Sequence, residues 1–505
     1  MSGVQGVRRG PAERVRPGHR GEGGARPSVA VVVTAALAAL LVAVGLLLGG
    51  GAVRLGPGGE SSARSGAATA PGSGDGTGAG PSAPSTVGPL TPSVDPAALR
   101  LQALDELLAA RADAVLRRDR AAWLATVDPA AGEFAARQAQ VLDHLAEVPL
   151  AGWRYEYAGE GPSLPAERRA VLGPEAWVAR VVLVYRLDTG AGPAGAGPAG
   201  AGPVGAGPAG SAGSAGTAGT ATGEVRREQH LTLVRRGDDW FVADDQDGDT
   251  APDLWDLGPV HVVRGQRSLV LGTAPVADLT RYAAETDDAA VRVDAVWGGD
   301  WPRTVVVLVP RSQEEMARLL LRDDDAGLEQ IAAVTTGEVG LDDPGESADR
   351  IVVNPAGFDQ LGPLGRRVVL THEITHVATR ATTTEAVPIW LSEGFADHVA
   401  YRDTGVAKQV IAQDVLDRVR AGQLPAALPT RLDFDPSHGD IAPAYSGSWL
   451  AADLVAVRWG EEALVGLYRT VAAGTPVDEA LTALLGLDEA AFTREWQAYL
   501  TQLAS

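Results

Sequence analysis

The sequence contains no cysteine in 505 residues, which removes disulfides, thiolate metal sites and cysteine nucleophiles together. Any metal must then be held by histidine, aspartate or glutamate. Basic residues are scarce beside acidic ones: 43 lysines and arginines stand against 64 aspartates and glutamates, a formal charge of −21. Phosphate binding needs a concentrated basic surface. None is visible outside the N-terminus, so no nucleic-acid partner is expected. Lysine is nearly missing, Lys408 being the only one, and this arginine-rich bias carries no mechanism. The length suits two or three domains, each able to bury its own core.

Long apolar runs are missing too, with one exception. From Pro27 to Val53 no charged residue occurs, and the run Val29 to Leu48, VAVVVTAALAALLVAVGLLL, lies inside that stretch. About 20 apolar residues are what a helix needs to cross a hydrocarbon core. Arg8, Arg9, Arg14, Arg16, Arg20 and Arg26 precede it against Glu13 and Glu22, and so short a basic flank prefers the cytoplasmic side. The expectation is a cytoplasmic basic tail over 1–27, a single membrane anchor over 28–50, and everything after Arg54 outside the cytoplasm. A cleaved signal peptide is the competing reading. Against it, the run exceeds an ordinary signal core, and the nearest small-x-small triplet, Ala68-Thr69-Ala70, lies too far downstream.

Residues 51–94 are mostly Gly, Ser, Pro, Ala and Thr and cannot bury enough apolar surface to offset their ordering entropy, so they read as a disordered linker. A second such tract, 190–223, repeats GAGPA with a period of five, which excludes a collagen helix; it reads as a disordered loop. It interrupts a unit expected over 95–260. Leu99 to Leu124 has apolar residues at helical spacing behind Asp95 and Pro96, and Trp177 to Asp188 and Glu228 to Arg236 read as strands before a GDD turn into WFVADD. Helices followed by a curved antiparallel sheet resemble, by pattern alone, the nuclear-transport-factor-like cone fold. Asp244 to Asp249, DDQDGD, lacks the acidic order and the twelfth-place glutamate of a calcium loop, and reads as an exposed turn.

Over 266–505 the texture changes. Short apolar runs at Ser268–Gly272, Thr304–Pro310 and Arg350–Pro355 alternate with helical stretches, and the chain turns mainly helical after Gly365. The fold class expected is therefore α+β: a small mixed sheet, then a helical subdomain. Arg366 to Ala381, RRVVLTHEITHVATRA, reads as one helix on which His372 and His376 are four apart, so both imidazoles leave the same side and meet one ion. Glu373 points about 100 degrees away, beside the ion rather than on it. Histidines satisfied by backbone or water on an ordinary helix are the bland alternative. A second helix, VPIWLSEGFADHVAYRD, with Pro388 in its first turn, carries Glu393 and Asp397 four apart. The short polar loop between the helices makes them neighbours, so that Glu393 reaches the same ion. Two histidines and one carboxylate leave a fourth coordination place open, as catalytic zinc sites do.

The HEITH pentad together with WLSEGFADH resembles the gluzincin branch of zinc metallopeptidases, in particular the peptidase-MA-like family. That resemblance implies one zinc per chain held by His372, His376 and Glu393, with Glu373 as the base for the attacking water. It implies that Asp397 accepts a hydrogen bond from the non-coordinating nitrogen of His372. Sixteen residues separate His376 from Glu393, slightly fewer than in the best-known gluzincins, so the link must be tighter. Tyr445, near the start of the helical stretch Pro443 to Gly460, matches a tyrosine that relatives carry and is the candidate oxyanion donor, with His438 as the substitute; a packed aromatic is the alternative. Arg350 to Pro355 resembles the edge strand on which such enzymes lay a peptide, which makes Asn354 a candidate substrate contact beside the plainer reading of a strand-end turn. The closing stretch Ala480 to Leu503 places Leu487, Phe492, Trp496 and Leu500 on a core face. The function expected is a membrane-anchored extracytoplasmic zinc metallopeptidase with a peptide or protein substrate. A surface binding protein built on a retired peptidase fold is the alternative.

Overall fold

The computed structural model describes residues 96–190, 223–299, 301–322, 324–325, 328, 331–336, 348–435 and 438–505. The basic tail, the apolar run over Val29 to Leu48, the linker before residue 96 and most of the Gly/Ala/Pro tract lie outside the described residues. Among those described, no helix is long and apolar enough to cross a membrane.

The N-terminal unit begins with α1 (Pro96–Leu116), α2 (Arg120–Ala125) and α3 (Gly132–His144). Helical spacing predicts one helix from Leu99 to Leu124, but the chain divides it. Arg118 takes a left-handed φ of 56°, and the Asp119 carboxylate accepts the Ala122 amide to cap a new helix. Next come β1 (Leu150–Glu160), β2 (Trp177–Leu187), β3 (Val225–Arg236) and β4 (Asp239–Asp244), paired in that order as an antiparallel sheet. Strand β1 escapes the sequence reading because its exposed and half-buried positions do not alternate cleanly. The register from Trp177↔Leu233 to Tyr185↔Val225 shows that the Gly/Ala/Pro tract joins adjacent antiparallel strands. Leu104 and Leu108 of α1 pack with Trp177, Val181 and Leu231 on one side of this sheet.

The DDQDGD segment is not the exposed turn the sequence suggests. Arg168 donates to both Asp244 and Asp247, Arg137 reaches Asp244 and Asp245, and the Thr232 hydroxyl donates to Asp247 at 2.7 Å. Arginines neutralise the acids and pin the loop onto the sheet, the work a cation does in a calcium loop.

The second sheet consists of β5 (His261–Arg264), β6 (Ser268–Gly272), β7 (Val305–Val309), β8 (Ala333–Thr336) and β9 (Arg350–Val353), in the order β5-β6-β7-β9-β8. Strands β6, β7 and β9 run parallel, and the outer strands β5 and β8 run antiparallel to their neighbours. Arg350–Val353 is therefore interior, not the edge that the resemblance suggested. Among the described residues the edge on this side is Ala333–Thr336, too short and too uniformly buried to stand out by periodicity. Side chains alternate across this sheet with period two. Val305, Val307, Val309, Ile351 and Val353 enter one core with α4 (Val276–Trp297) and the C-terminal helices. Val306, Leu308, Val334 and Val352 enter another with Trp153, Leu183, Tyr185 and Trp255 of the N-terminal unit. The second sheet is thus buried on both faces, which explains its nearly continuous apolar runs. A polar knot crosses the same boundary: Tyr185 donates to Asp253, Arg350 donates to the Tyr185 hydroxyl at 2.8 Å, and Arg227 lies 3.6 Å from the Asp253 carboxylate.

The remainder is helical: α5 (Pro363–Thr379), α6 (Ile389–Tyr401), α7 (Ala442–Trp459), shorter helices at Glu461–Ala472 and Val477–Leu485, and α8 (Glu489–Ala504). Pro363 starts α5 where an amide would lack a partner in any case, while Pro388 caps α6 from outside rather than occupying its first turn. Phe492, Trp496 and Leu500 are fully buried, with Leu487 half-buried beside them. The single lysine is structural: Lys408 Nζ lies 2.5 Å from Asp453 on α7 and 3.0 Å from the Tyr499 hydroxyl on α8.

Candidate metal centre

Helix α5 is buried through its middle turns, from Val368 to Thr379, because the sheet packs on one side and α4 and α6 on others. Its two histidines are held in that interior one turn apart, with Nε2 atoms 3.0 Å from each other. Helix α6 brings Glu393 across to them: its Oε2 lies 3.4 Å from His372 Nε2 and 3.5 Å from His376 Nε2. Tetrahedral zinc with bonds of about 2.0–2.1 Å separates its ligand atoms by roughly 3.3 Å, so these spacings fit one ion. The same Oε2 is buried and accepts no hydrogen bond, a polar atom whose cost is removed by a cation. Among the described residues, His372, His376 and Glu393 are the one group of this kind. The His376 side chain is 10% exposed against 0% and 2% for the other two, so the cluster opens at its edge.

Asp397, one turn beyond Glu393, lies 2.8 Å from His372 Nδ1. A proton on Nδ1 directed at that carboxylate leaves Nε2 with a free lone pair facing the cluster. The α6–α7 crossing that seats this helix is tight: a Cβ on Gly394 would meet the Ser448 carbonyl oxygen at 2.3 Å. Only glycine beside Glu393 lets α7 approach so closely.

The electrostatics favour positive charge at the centre. Burial opposes charge on His372, yet Asp397 and Glu393 outweigh it and hold the imidazole well above its ordinary range. Burial also works against ionised Glu393, but the two imidazoles win and pull it down to about 2. Burial dominates at Glu373 and Asp397, pushing both carboxyls up despite the histidines. Acids and bases pulled in opposite directions within one buried cluster make it a candidate functional site.

Glu373 is fully buried and turned toward β8. The Thr335 hydroxyl donates to its Oε2 at 2.6 Å, while Oε1 has no partner. Thr335 carries no periodic signal in the sequence; the available one was the pair of threonines that closes the apolar stretch IAAVTT. Tyr445 lies at the start of α7, buried, edge-on to Phe434 at 4.7 Å. Burial pushes its phenol well above the ordinary range, with the charges of Glu393, Asp397 and Glu373 adding to it. His438 is exposed and lies 3.1 Å from Asp435. Asn354 is fully buried and caps the short helix Pro355–Phe358, accepting from the Ala356 amide and donating to the Leu328 carbonyl. Its side-chain amide also donates to Gln313 Oε1 at 3.2 Å.

Residues 348–502 match the family model described as the peptidase MA superfamily. The match includes α5, α6 and α7, and with them every residue of the cluster. The C-terminal part of the chain is thus similar to the peptidase MA superfamily. Among solved structures, a two-domain M1 zinc metallopeptidase, a mutant bound to L-arginine, aligns at 14% identity and a TM-score of 0.28 over 54% of this chain. The chain spans 58% of that protein's length. No curated protein sequence matches.

Proposed function

We propose that the protein is a zinc-dependent peptidase in which His372, His376 and Glu393 hold the metal and Glu373 is the general base. The observation that carries this is the cluster itself: three buried donor atoms at tetrahedral spacing, one of them without a partner, beside a buried carboxylate that is not among them. Bound there, zinc supplies Lewis acidity, bringing the pKa of a coordinated water to about 7 and drawing charge off a carbonyl oxygen. Glu373 takes one proton from the attacking water as its oxygen bonds to the peptide carbonyl carbon. The C–N bond then breaks as the same carboxyl passes that proton to the leaving nitrogen, giving a carboxylic acid and an amine. Tyr445, kept a neutral phenol by burial, is the donor for the oxygen that gains negative charge. Asp397 holds the His372 tautomer.

The proposal extends to location and organisation. The charge-free run over Val29 to Leu48 behind its arginines supports a single-pass anchor with the peptidase part outside the cytoplasm. Residues 95–260 make up the cone-like unit in this reading, which the order of helices and antiparallel strands among its described residues supports. Glu373→Gln removes the base and keeps a neutral isostere. The variant should bind one zinc per chain and hydrolyse a broad peptide library at least 100-fold more slowly than the parent protein. Equal inactivity of the two, both metal-loaded, would transfer the site to the alternative, a surface binding protein with a retired fold.

A further inference from the structure

We infer that Thr335 is a positioning residue, which holds one oxygen of the Glu373 carboxylate so that the other is the oxygen left for chemistry. The inference rests on the reading of Glu373 as the base and adds a residue from a different part of the chain, outside the stretch that matches the peptidase family. Strand β8 is the sheet edge beside α5, and its side chains alternate. Ala333 enters the core shared with the C-terminal helices, Val334 enters the core shared with the N-terminal unit, and Thr335 returns to the α5 side. An apolar β-branched residue matches that position in shape, and the residue is only 2% exposed. A threonine there places a hydroxyl 2.6 Å from Glu373 Oε2 and 3.2 Å from the backbone oxygen of the same residue.

A carboxylate on a helix rotates freely about its last bond unless something holds it. Here one oxygen accepts a short hydrogen bond from a strand that is itself locked by pairing to β9, Thr335 opposite Ile351. The other oxygen, Oε1, is buried with no partner. The hydroxyl donates and the carboxylate accepts, which divides the two oxygens into a held one and a working one. A base misaligned by an ångström loses on the order of 100-fold in rate.

Thr335→Val keeps the shape and the strand preference and deletes the hydroxyl; Thr335→Ser restores it; Thr335→Ala deletes it a second way. In the full-length zinc-loaded protein, kcat on a cleaved peptide should fall about 10- to 100-fold in the valine and alanine variants, with KM within about twofold and zinc content unchanged. The serine variant should recover to within about threefold of the parent. Crystal structures of the metal-loaded variants give a readout that does not depend on turnover: the Glu373 carboxylate keeps its angle in the parent and the serine variant and turns in the other two. If the hydroxyl-free variants retain both the carboxylate angle and kcat, Thr335 is packing only. Should the parent cleave no peptide at all, the peptidase reading fails, and the carboxylate angle alone decides Thr335.

Discussion

Asp349 shows how much the surroundings of one residue can change its chemistry. It precedes β9, and its carboxylate lies 3.1 Å from Arg380 Nε, one turn past His376. Burial pushes its pKa up to about 6, with Arg380 opposing the shift without cancelling it. An acid whose folded pKa exceeds its unfolded value near 4 favours folding when protonated. The stabilisation is complete below about pH 4 and is lost as pH rises through about 6. The full swing is at most about 3 kcal/mol. Asp349→Asn removes this titration. In urea unfolding with chelator present, so that metal release does not contribute, the parent should lose stability relative to the asparagine variant between pH 4 and pH 7. Parallel curves for the two proteins would contradict the assignment.

At the scale of elements, the candidate metal centre depends on two helix contacts. Neighbouring helices α5 and α6 carry the donors, and α7 presses on α6 through Gly394 and Ser448. Gly394→Ala forces a Cβ against backbone, which a flexible side chain cannot relieve. Overpacking of this kind costs about 1–3 kcal/mol, and because Glu393 is the adjacent residue the shift also moves a donor. The alanine variant should lose stability of that order in urea and bind zinc at least 10-fold more weakly by competitive titration. Unchanged zinc affinity would show that α6 adjusts without moving Glu393. The sheet edge is decided at the same scale. Strand β8 supplies both the outer backbone and the Thr335 hydroxyl, whereas Arg350–Val353 is enclosed between β7 and β8.

For the whole molecule, the N-terminal unit and the peptidase-like part are layers of one structure. The face of the second sheet formed by Val306, Leu308, Val334 and Val352 is covered by Trp153, Leu183, Tyr185 and Trp255, and the buried knot of Tyr185, Asp253 and Arg350 closes the same boundary. Deleting residues 96–260 uncovers that face and takes Tyr185 and Asp253 away from Arg350. The uncovered face is a contiguous apolar patch that water does not tolerate. The shortened chain should aggregate or bind a hydrophobic dye on expression, whereas the longer chain should unfold in one calorimetric transition. A soluble, cooperatively folded fragment would make the N-terminal unit an appendage.

The pairing of His372 with His376, and of Glu393 with Asp397, was legible in the sequence because helical periodicity is local: residues four apart share a face whatever surrounds them. The apolar strands at Ser268–Gly272 and Val305–Val309 were legible for the same reason. The sequence alone did not show that Thr335 holds Glu373, that Ala333–Thr336 is the edge, that arginines embrace the DDQDGD loop, or that the N-terminal unit covers the second sheet. Each of these joins residues remote in the chain through register, burial and crossing distance, and such contacts arise only when the packed layers bring them together.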